Sequence, residues 1–152
     1  MSNMKIPFTT TDIVRLFQQA EWDISQECGQ FTLFGLFERV DIPSKYDVVM
    51  SAPWLRDDAD SMNLMFDLAH ASIGNDNWFS KIGIFVIVPG NGPFAAAVHE
   101  VLSNDPVQHS MKRITNFFYD GEIIRDAVII TSVEAVAGNA AQASKRGEPV
   151  AV

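Results

Sequence analysis

The sequence predicts a single α/β domain, built on a mixed sheet of about five strands that helices cover. Short runs rich in β-branched and aromatic residues alternate with segments whose apolar residues recur at helical spacing. The order along the chain is α-β-β-α-β-α-β-β, and 152 residues have room for one such domain. We place this domain at 1–137 and interpret 138–152 as a disordered tail, because it has no sustained apolar period.

Local signals place the first helix and the first two strands. Thr9–Asp12 offers N-cap oxygens ahead of apolar residues at helical spacing, which predicts a helix from about 10 to 21. The segments 31–40 and 46–51 favour strands because they are rich in aromatic and β-branched residues. A short polar turn at 41–45 joins the two segments, so we expect them to pair as a hairpin.

The middle of the chain predicts a strand between two helices. Acids at 57–60 and an apolar stripe that runs to Ile73 favour a helix that ends at Gly74. The segment 82–88 is apolar without alternation, which indicates a strand that is buried on both faces at the centre of the sheet. Pro93 suits the first turn of the helix that follows.

The last two strands have the clearest local signal. Asp120–Gly121 is typical of a type I′ turn, and it lies between two β-favouring runs at 114–119 and 122–131. These runs are therefore expected to form a second hairpin.

The end of a strand next to the start of a helix is where α/β proteins commonly bind ligands. If the strands at 46–51 and 82–88 are parallel, their crossover is right-handed and their C-terminal ends lie side by side. A pocket there would have four candidate ligand-binding residues at its rim: Ser51, Trp54, Asn91 and Gly92. Phosphate-bearing small molecules are the expected ligand class. The alternative is a tight turn that only needs the backbone freedom of glycine.

Two acids near this predicted pocket are candidate metal ligands. Asp57 and Asp58 follow the second strand closely, and carboxylates in such a place can hold Mg²⁺ together with water and substrate oxygens. Acids are also favoured in a first helical turn by the helix dipole alone, so a solvated helix cap is the alternative.

The sequence assigns no chemical role to the remaining titratable candidates. Asp47 starts a strand, where it is either a partly buried carboxylate or the end of a turn. His70 and His99 fall near the C-terminal ends of predicted helices, where the helix dipole favours histidine without any catalytic duty. His109 and Cys28 lack a neighbouring motif that would identify a catalytic triad or a reactive thiol.

Composition and charge limit the classes of partner. A net charge of −8 disfavours binding to a phosphate backbone. The start of the chain has no signal-peptide core, and its longest apolar run is too short to cross a bilayer. The single cysteine fits a reducing compartment, so a cytoplasmic protein is expected. No P-loop or dinucleotide motif is complete, and no cofactor is expected.

Two functions follow from these features. Trp54 and Trp78 lie in predicted breaks between elements, so they are candidate interface residues. The first function is a non-catalytic cytoplasmic interaction module that binds a protein partner or itself, as a homo-oligomer, through apolar surface beside a sheet edge. The second is a small enzyme or ligand-binding domain that uses the pocket described above, with or without a divalent metal.

Overall fold

The computed structural model describes residues 10–43, 45–74, 80–102 and 106–133. The predicted tail at 138–152 and Trp78 lie outside the described residues. The elements, in chain order, are α1 (Thr10–Cys28), β1 (Leu33–Glu38), β2 (Tyr46–Ser51), α2 (Ala59–Ile73), β3 (Ile82–Ile87), α3 (Pro93–Val101), β4 (Lys112–Tyr119) and β5 (Glu122–Ser132). The α/β class and the predicted order of elements are both confirmed.

All five strands form one mixed sheet, in the spatial order β3-β2-β1-β5-β4. The β1–β2 and β4–β5 pairs are antiparallel, as expected for the two hairpins, and β1 also pairs antiparallel with β5. The β2–β3 pair is parallel, with Met50 beside Ile87. The C-terminal ends of these two strands therefore lie side by side, as the sequence predicted.

The prediction that the strand at 82–88 is central and buried on both faces is wrong, because β3 is an edge strand. Ile82, Phe85 and Ile87 are buried, but Ile84 is 53% exposed. A shift in the pairing register between Tyr46 and Val48 adds a residue to β3 and breaks its regular alternation. The apolar run thus reflects an irregular strand with one exposed side chain rather than burial on both faces.

Helices cover the two faces of the sheet unequally. α1 and α2 pack on one face and enclose a core that includes Phe17, Phe31 and Met65. Among the described elements, the opposite face carries only α3, whose Val98 packs in a second core with residues such as Phe37. A nine-residue helix is about 13 Å long, whereas five strands span about 19 Å, so no helix of the described ranges covers the whole of the α3 face.

Two helix ends follow local capping rules. Asp58 caps α2 by accepting a hydrogen bond from the backbone N–H of Ser61, and Gly74 ends that helix in the left-handed conformation with φ of 83°. α1 runs past the predicted end at 21 because Ile24 continues its buried stripe. No helix in the described ranges has the length and apolar character needed to cross a bilayer.

The β4–β5 hairpin turns at Asp120 and Gly121, with φ of 53° and 80°, which confirms the predicted turn. Asn116 also has a left-handed backbone, with φ of 55°. This residue interrupts the alternation of β4, so that Ile114 and Phe117, three positions apart, both contribute to the second core.

A partly exposed ion pair connects β4 to β5, and a hydrogen bond extends it across β1 to Tyr46 of β2. Arg113 donates two hydrogen bonds to the Asp126 carboxylate, at 2.7 and 2.9 Å, and the Tyr46 hydroxyl donates a third at 2.7 Å. These donors, chiefly Arg113, hold the pKa of Asp126 below its ordinary value, against the opposing effect of burial.

Replacing Asp126 by asparagine is expected to lower the free energy of unfolding by about 1 kcal/mol at neutral pH, because Arg113 is more than half exposed and solvent screens the ion pair. A carboxyl with a lowered native pKa stabilises the fold above its unfolded pKa, about 4, and loses this effect as the pH falls through the native pKa. The wild type and the variant should therefore converge in stability in acid. Urea unfolding at a series of pH values measures this.

Asp67→Asn is the matched control, because Asp67 is an exposed acid on α2. We expect it to change the free energy of unfolding by less than about 0.5 kcal/mol at every pH. A deficit in Asp126→Asn that stays constant from neutral to acid pH contradicts the prediction.

Candidate functional site

The two turns that were expected to frame a pocket do meet. The backbone N–H of Val88 donates to the carbonyl of Met50 at 2.9 Å, which continues the parallel pairing into the turns. Ser51, however, is only 2% exposed. A Cβ atom on Gly90 would lie 3.1 Å from the Ser51 Oγ and 3.2 Å from the Thr32 Oγ1. The Gly90 turn thus packs directly onto Ser51 and leaves little room between them.

The start of α3 offers few free donors to an anion. The backbone N–H of Gly92 donates to the carbonyl of Pro89 at 3.1 Å, and Pro93 has no N–H. Gly92 occupies the N-cap position without a side-chain hydrogen bond. Asn91 is exposed in the turn. A phosphate ligand at this helix start stays a prediction, with these geometric arguments against it.

Trp54 is held by its neighbours. Its ring lies 5.2 Å from that of Phe31, and its Nε1–H donates to the carbonyl of Gln30 at 3.0 Å. Gly29 has φ of 128°, and a Cβ atom on it would lie 2.8 Å from the indole ring. Trp54 therefore closes the core beneath it, and its predicted ligand and interface roles stay predictions.

The two candidate metal ligands have different surroundings. Asp58 is engaged as the cap of α2, and the hydrogen bond from the Ser61 backbone lowers the pKa of this carboxyl. Asp57 is exposed beside it. Within the described parts of the chain, no group of three or more His, Cys, Asp or Glu side chains is placed to hold a metal ion. The divalent-metal hypothesis stays a prediction.

Asp47 is a partly buried carboxylate that accepts a backbone hydrogen bond from β3. It lies 3.2 Å from Nη1 of Arg39 and accepts a hydrogen bond from the backbone N–H of Ile84 at 3.0 Å. A Cβ atom on Gly83 would lie 2.5 Å from the same carboxylate oxygen. This close approach explains why glycine occupies the irregular part of β3.

A buried acid that the sequence did not predict, Glu21, joins α1 to β5 and to the segment before β4. Glu21 is fully buried, with one oxygen 2.7 Å from Nδ1 of His109 and the other 2.8 Å from the donating hydroxyl of Thr131. The Thr131 Oγ1 also accepts the backbone N–H of His109 at 3.1 Å. His109 has a left-handed backbone, with φ of 54°. These three residues are the Glu21 cluster.

The Glu21 cluster has the acid and imidazole of a hydrolytic triad but a different third partner. A nucleophile would have to hydrogen-bond the second ring nitrogen of the histidine. In this protein, Nε2 of His109 instead lies 3.2 Å from the Gln30 amide, and the Trp22 ring packs edge-on against the imidazole at 4.8 Å. The threonine binds the acid rather than the imidazole. The arrangement holds three chain segments together.

The other titratable candidates from the sequence are His70, His99 and Cys28, and their environments give no sign of catalysis. His70 and His99 lie in the last turns of α2 and α3, as predicted, and the His70 ring stacks on Phe66 with centroids 6.3 Å apart. Burial, aided by Glu27, raises the pKa of the Cys28 thiol. A raised pKa is the opposite of what a nucleophilic cysteine needs.

The described residues also form two surface grooves. The α3-face groove consists of two cavities of about 450 and 320 Å³ that share Val49 and Phe94. Its acidic end adds Phe37, Glu38, Arg39, Val40, Asp41, Asp47, Glu122 and Ile124. Its apolar end adds Val86, Val88, Pro89, Pro93 and Tyr119.

The second groove, the β3-edge groove, lies between α2 and β3. It has a volume of about 400 Å³ and is lined by Met62, Asn63, Phe66, Ile82, Gly83, Ile84 and Phe85. None of these three cavities is lined by Ser51, Trp54, Asp57, Asp58, Asn91 or Gly92.

Comparison with models of known protein families, with curated proteins and with solved structures gave no match to this chain.

Proposed function

We propose that this protein is a non-catalytic interaction module that joins another chain by strand addition at β3, and that the added strand is β3 of a second copy. The observation that carries this proposal is the outer edge of β3. No strand among the described residues pairs with it. Its six residues, Ile82–Ile87, include neither a charge nor a proline. An extended uncharged edge of this kind is a ready template for another strand.

The surface next to this edge is apolar and uncharged as well. The seven residues of the β3-edge groove carry no ionisable side chain. Ile84 is 53% exposed, and Phe66 across the groove is 39% exposed. An added strand would hydrogen-bond to the β3 backbone and bury side chains against these two residues, which provides both a polar and an apolar contribution to binding.

The opposite edge of the sheet has the features that prevent strand addition. β4 begins with Lys112 and Arg113, and Asn116 in its middle departs from the extended backbone with φ of 55°. Charges on an edge strand are one way in which natural sheets protect their edges. Since the pairing of β3 is also irregular, the charges are what distinguish the two edges. The contrast between the two edges supports β3 as the site of addition.

Charge supports a second copy as the occupant. Two molecules with a net charge of −8 repel one another, so they associate most readily where neither presents a charge. A two-fold axis perpendicular to the sheet makes β3 antiparallel to its copy and places both α2 helices on the same face. Each uncharged groove then meets an equally uncharged strand, since the same surface is used twice.

Light scattering after size-exclusion chromatography tests this proposal. We expect the wild type to have the mass of a dimer at the concentrated end of an about hundredfold range of concentration. Its mass should fall toward that of a monomer at the dilute end. Ile84→Lys should give a monomer at all those concentrations, because it places a desolvated charge in the new interface. Circular dichroism establishes that the variant is folded.

Thr115→Lys is the matched control, since Thr115 is an exposed residue of the other edge strand. It should keep the dimer mass of the wild type. A wild type that is monomeric throughout, or an Ile84→Lys variant that stays dimeric while Thr115→Lys dissociates, would overturn the proposal.

A further inference from the structure

We infer that the α3-face groove binds a segment of another protein in which apolar side chains lie next to Lys or Arg. This groove is on the face of the sheet opposite α2, so the inference does not depend on strand addition at β3. It follows from two properties of the groove, its apolar aromatic floor and its acidic end.

The apolar part of the groove lies where α3, the one helix that the described ranges place on this face, does not cover the sheet. Phe94, in the first turn of α3, lines both cavities, as does Val49. Its ring lies 5.1 Å from that of Phe37, 5.8 Å from Phe117 and 5.0 Å from Tyr119. The groove floor is therefore a rigid aromatic cluster rather than a loop. Clusters of this kind suit an aromatic or large aliphatic side chain of a partner.

The acidic end determines the charge of that partner. Four carboxylates and one guanidinium, Arg39, line this cavity. Arg39 pairs with Asp41 at 3.0 Å and with Asp47 at 3.2 Å, and it lowers the pKa of Asp41. Both carboxylates are thus held in place. Glu38 in turn pairs with Arg125 at 3.5 Å, so two guanidinium groups face four carboxylates and a net negative charge remains. Opposite charges steer association and select partners, so Lys or Arg is expected beside the apolar anchor.

The same acids disfavour other occupants. A two-fold dimer on this face would place the acidic end of one copy against the same surface of the other, and like charges at an interface are costly. A nucleic acid or an anionic lipid surface would meet carboxylates where it needs cations. A separate basic protein segment meets neither obstacle.

Selection from a phage-displayed library of random peptides tests the inference on the full chain. We expect the enriched peptides to combine at least one aromatic or large aliphatic residue with Lys or Arg. Their binding, measured by fluorescence anisotropy with synthetic copies of the enriched peptides, should weaken about tenfold or more in Glu122→Lys and in Val88→Asn. It should also weaken as salt is added.

Asp67→Lys is the matched control, because it makes the same change of charge on α2, on the opposite face. It should change the affinity less than twofold. Enriched peptides without a basic excess, no enrichment above the library background, or equal affinity for Glu122→Lys and Asp67→Lys would each overturn the inference. Ile84→Lys should leave peptide binding unchanged, which separates this surface from the β3 edge.

Discussion

Glu21→Ala is expected to lower the free energy of unfolding by about 3 to 5 kcal/mol, because each buried polar group that loses its hydrogen-bond partner costs about 1 to 3 kcal/mol. The change removes the partner of the His109 Nδ1 and the acceptor for the Thr131 hydroxyl, while Thr131 Oγ1 still accepts the backbone N–H of His109. It also frees the segment at His109, whose left-handed backbone is otherwise held by the Glu21 cluster. Urea unfolding at neutral pH measures the change.

Glu27→Ala on the same helix is the control, because Glu27 is exposed. Its expected effect on the free energy of unfolding is within about 0.5 kcal/mol. Equal destabilisation by the two substitutions would show that the loss of a carboxylate anywhere on α1, rather than of the buried hydrogen bonds, accounts for the effect.

Phe117→Ala is expected to destabilise the fold by about 3 to 5 kcal/mol, the range for truncation of a buried phenylalanine. Phe117 lies in the second core, and its ring contacts those of Phe37, Phe94 and Tyr119. The change leaves a cavity under the α3-face groove, so the aromatic floor of that groove should loosen. Thermal or urea unfolding measures the stability.

The next residue provides an unusually close control. Phe118 is 66% exposed and pairs with Ile123 on the outer side of the hairpin. Phe118→Ala should change the free energy of unfolding by less than about 1 kcal/mol, since little apolar area is lost from the core. A similar loss from both substitutions would mean that the hairpin, and not the core beneath α3, determines the effect.

Local signals predicted most of the fold. Asp58 and Gly74 delimit α2, and Asp120–Gly121 forms the turn of the second hairpin, because each satisfies a backbone need within a few residues. The expected meeting of the turns after β2 and β3 is also confirmed, since it follows from parallel pairing alone. These features depend on short-range chemistry, which a sequence shows directly.

Long-range placement could not be predicted in the same way. The apolar run at 82–88 predicted a central strand. In the structure β1 is central, between β2 and β5, and β3 lies at the edge beside β2. Glu21 and His109 are 88 positions apart, and nothing near His109 points to an acid. One signal was present: Glu21 follows Phe17 by four residues, so it falls on the buried face of an amphipathic helix.

The candidate site shows the same division. Proximity of Ser51 to the Gly90 turn was predictable, but the closeness of their packing was not, because it depends on side chains from β1 as well. The α3-face groove depends on how little of the sheet a nine-residue helix covers, which requires the width and order of the strands.

The position of β5 has a consequence for the protein during its synthesis. β5 pairs with β1 on one side and β4 on the other, yet it leaves the ribosome after the other four described strands. Until it does, β1 has an open edge made of Leu33–Glu38, which is almost entirely apolar. The nascent chain therefore passes through a stage in which this apolar edge is uncovered, and folding of the sheet centre waits for translation to reach Ser132.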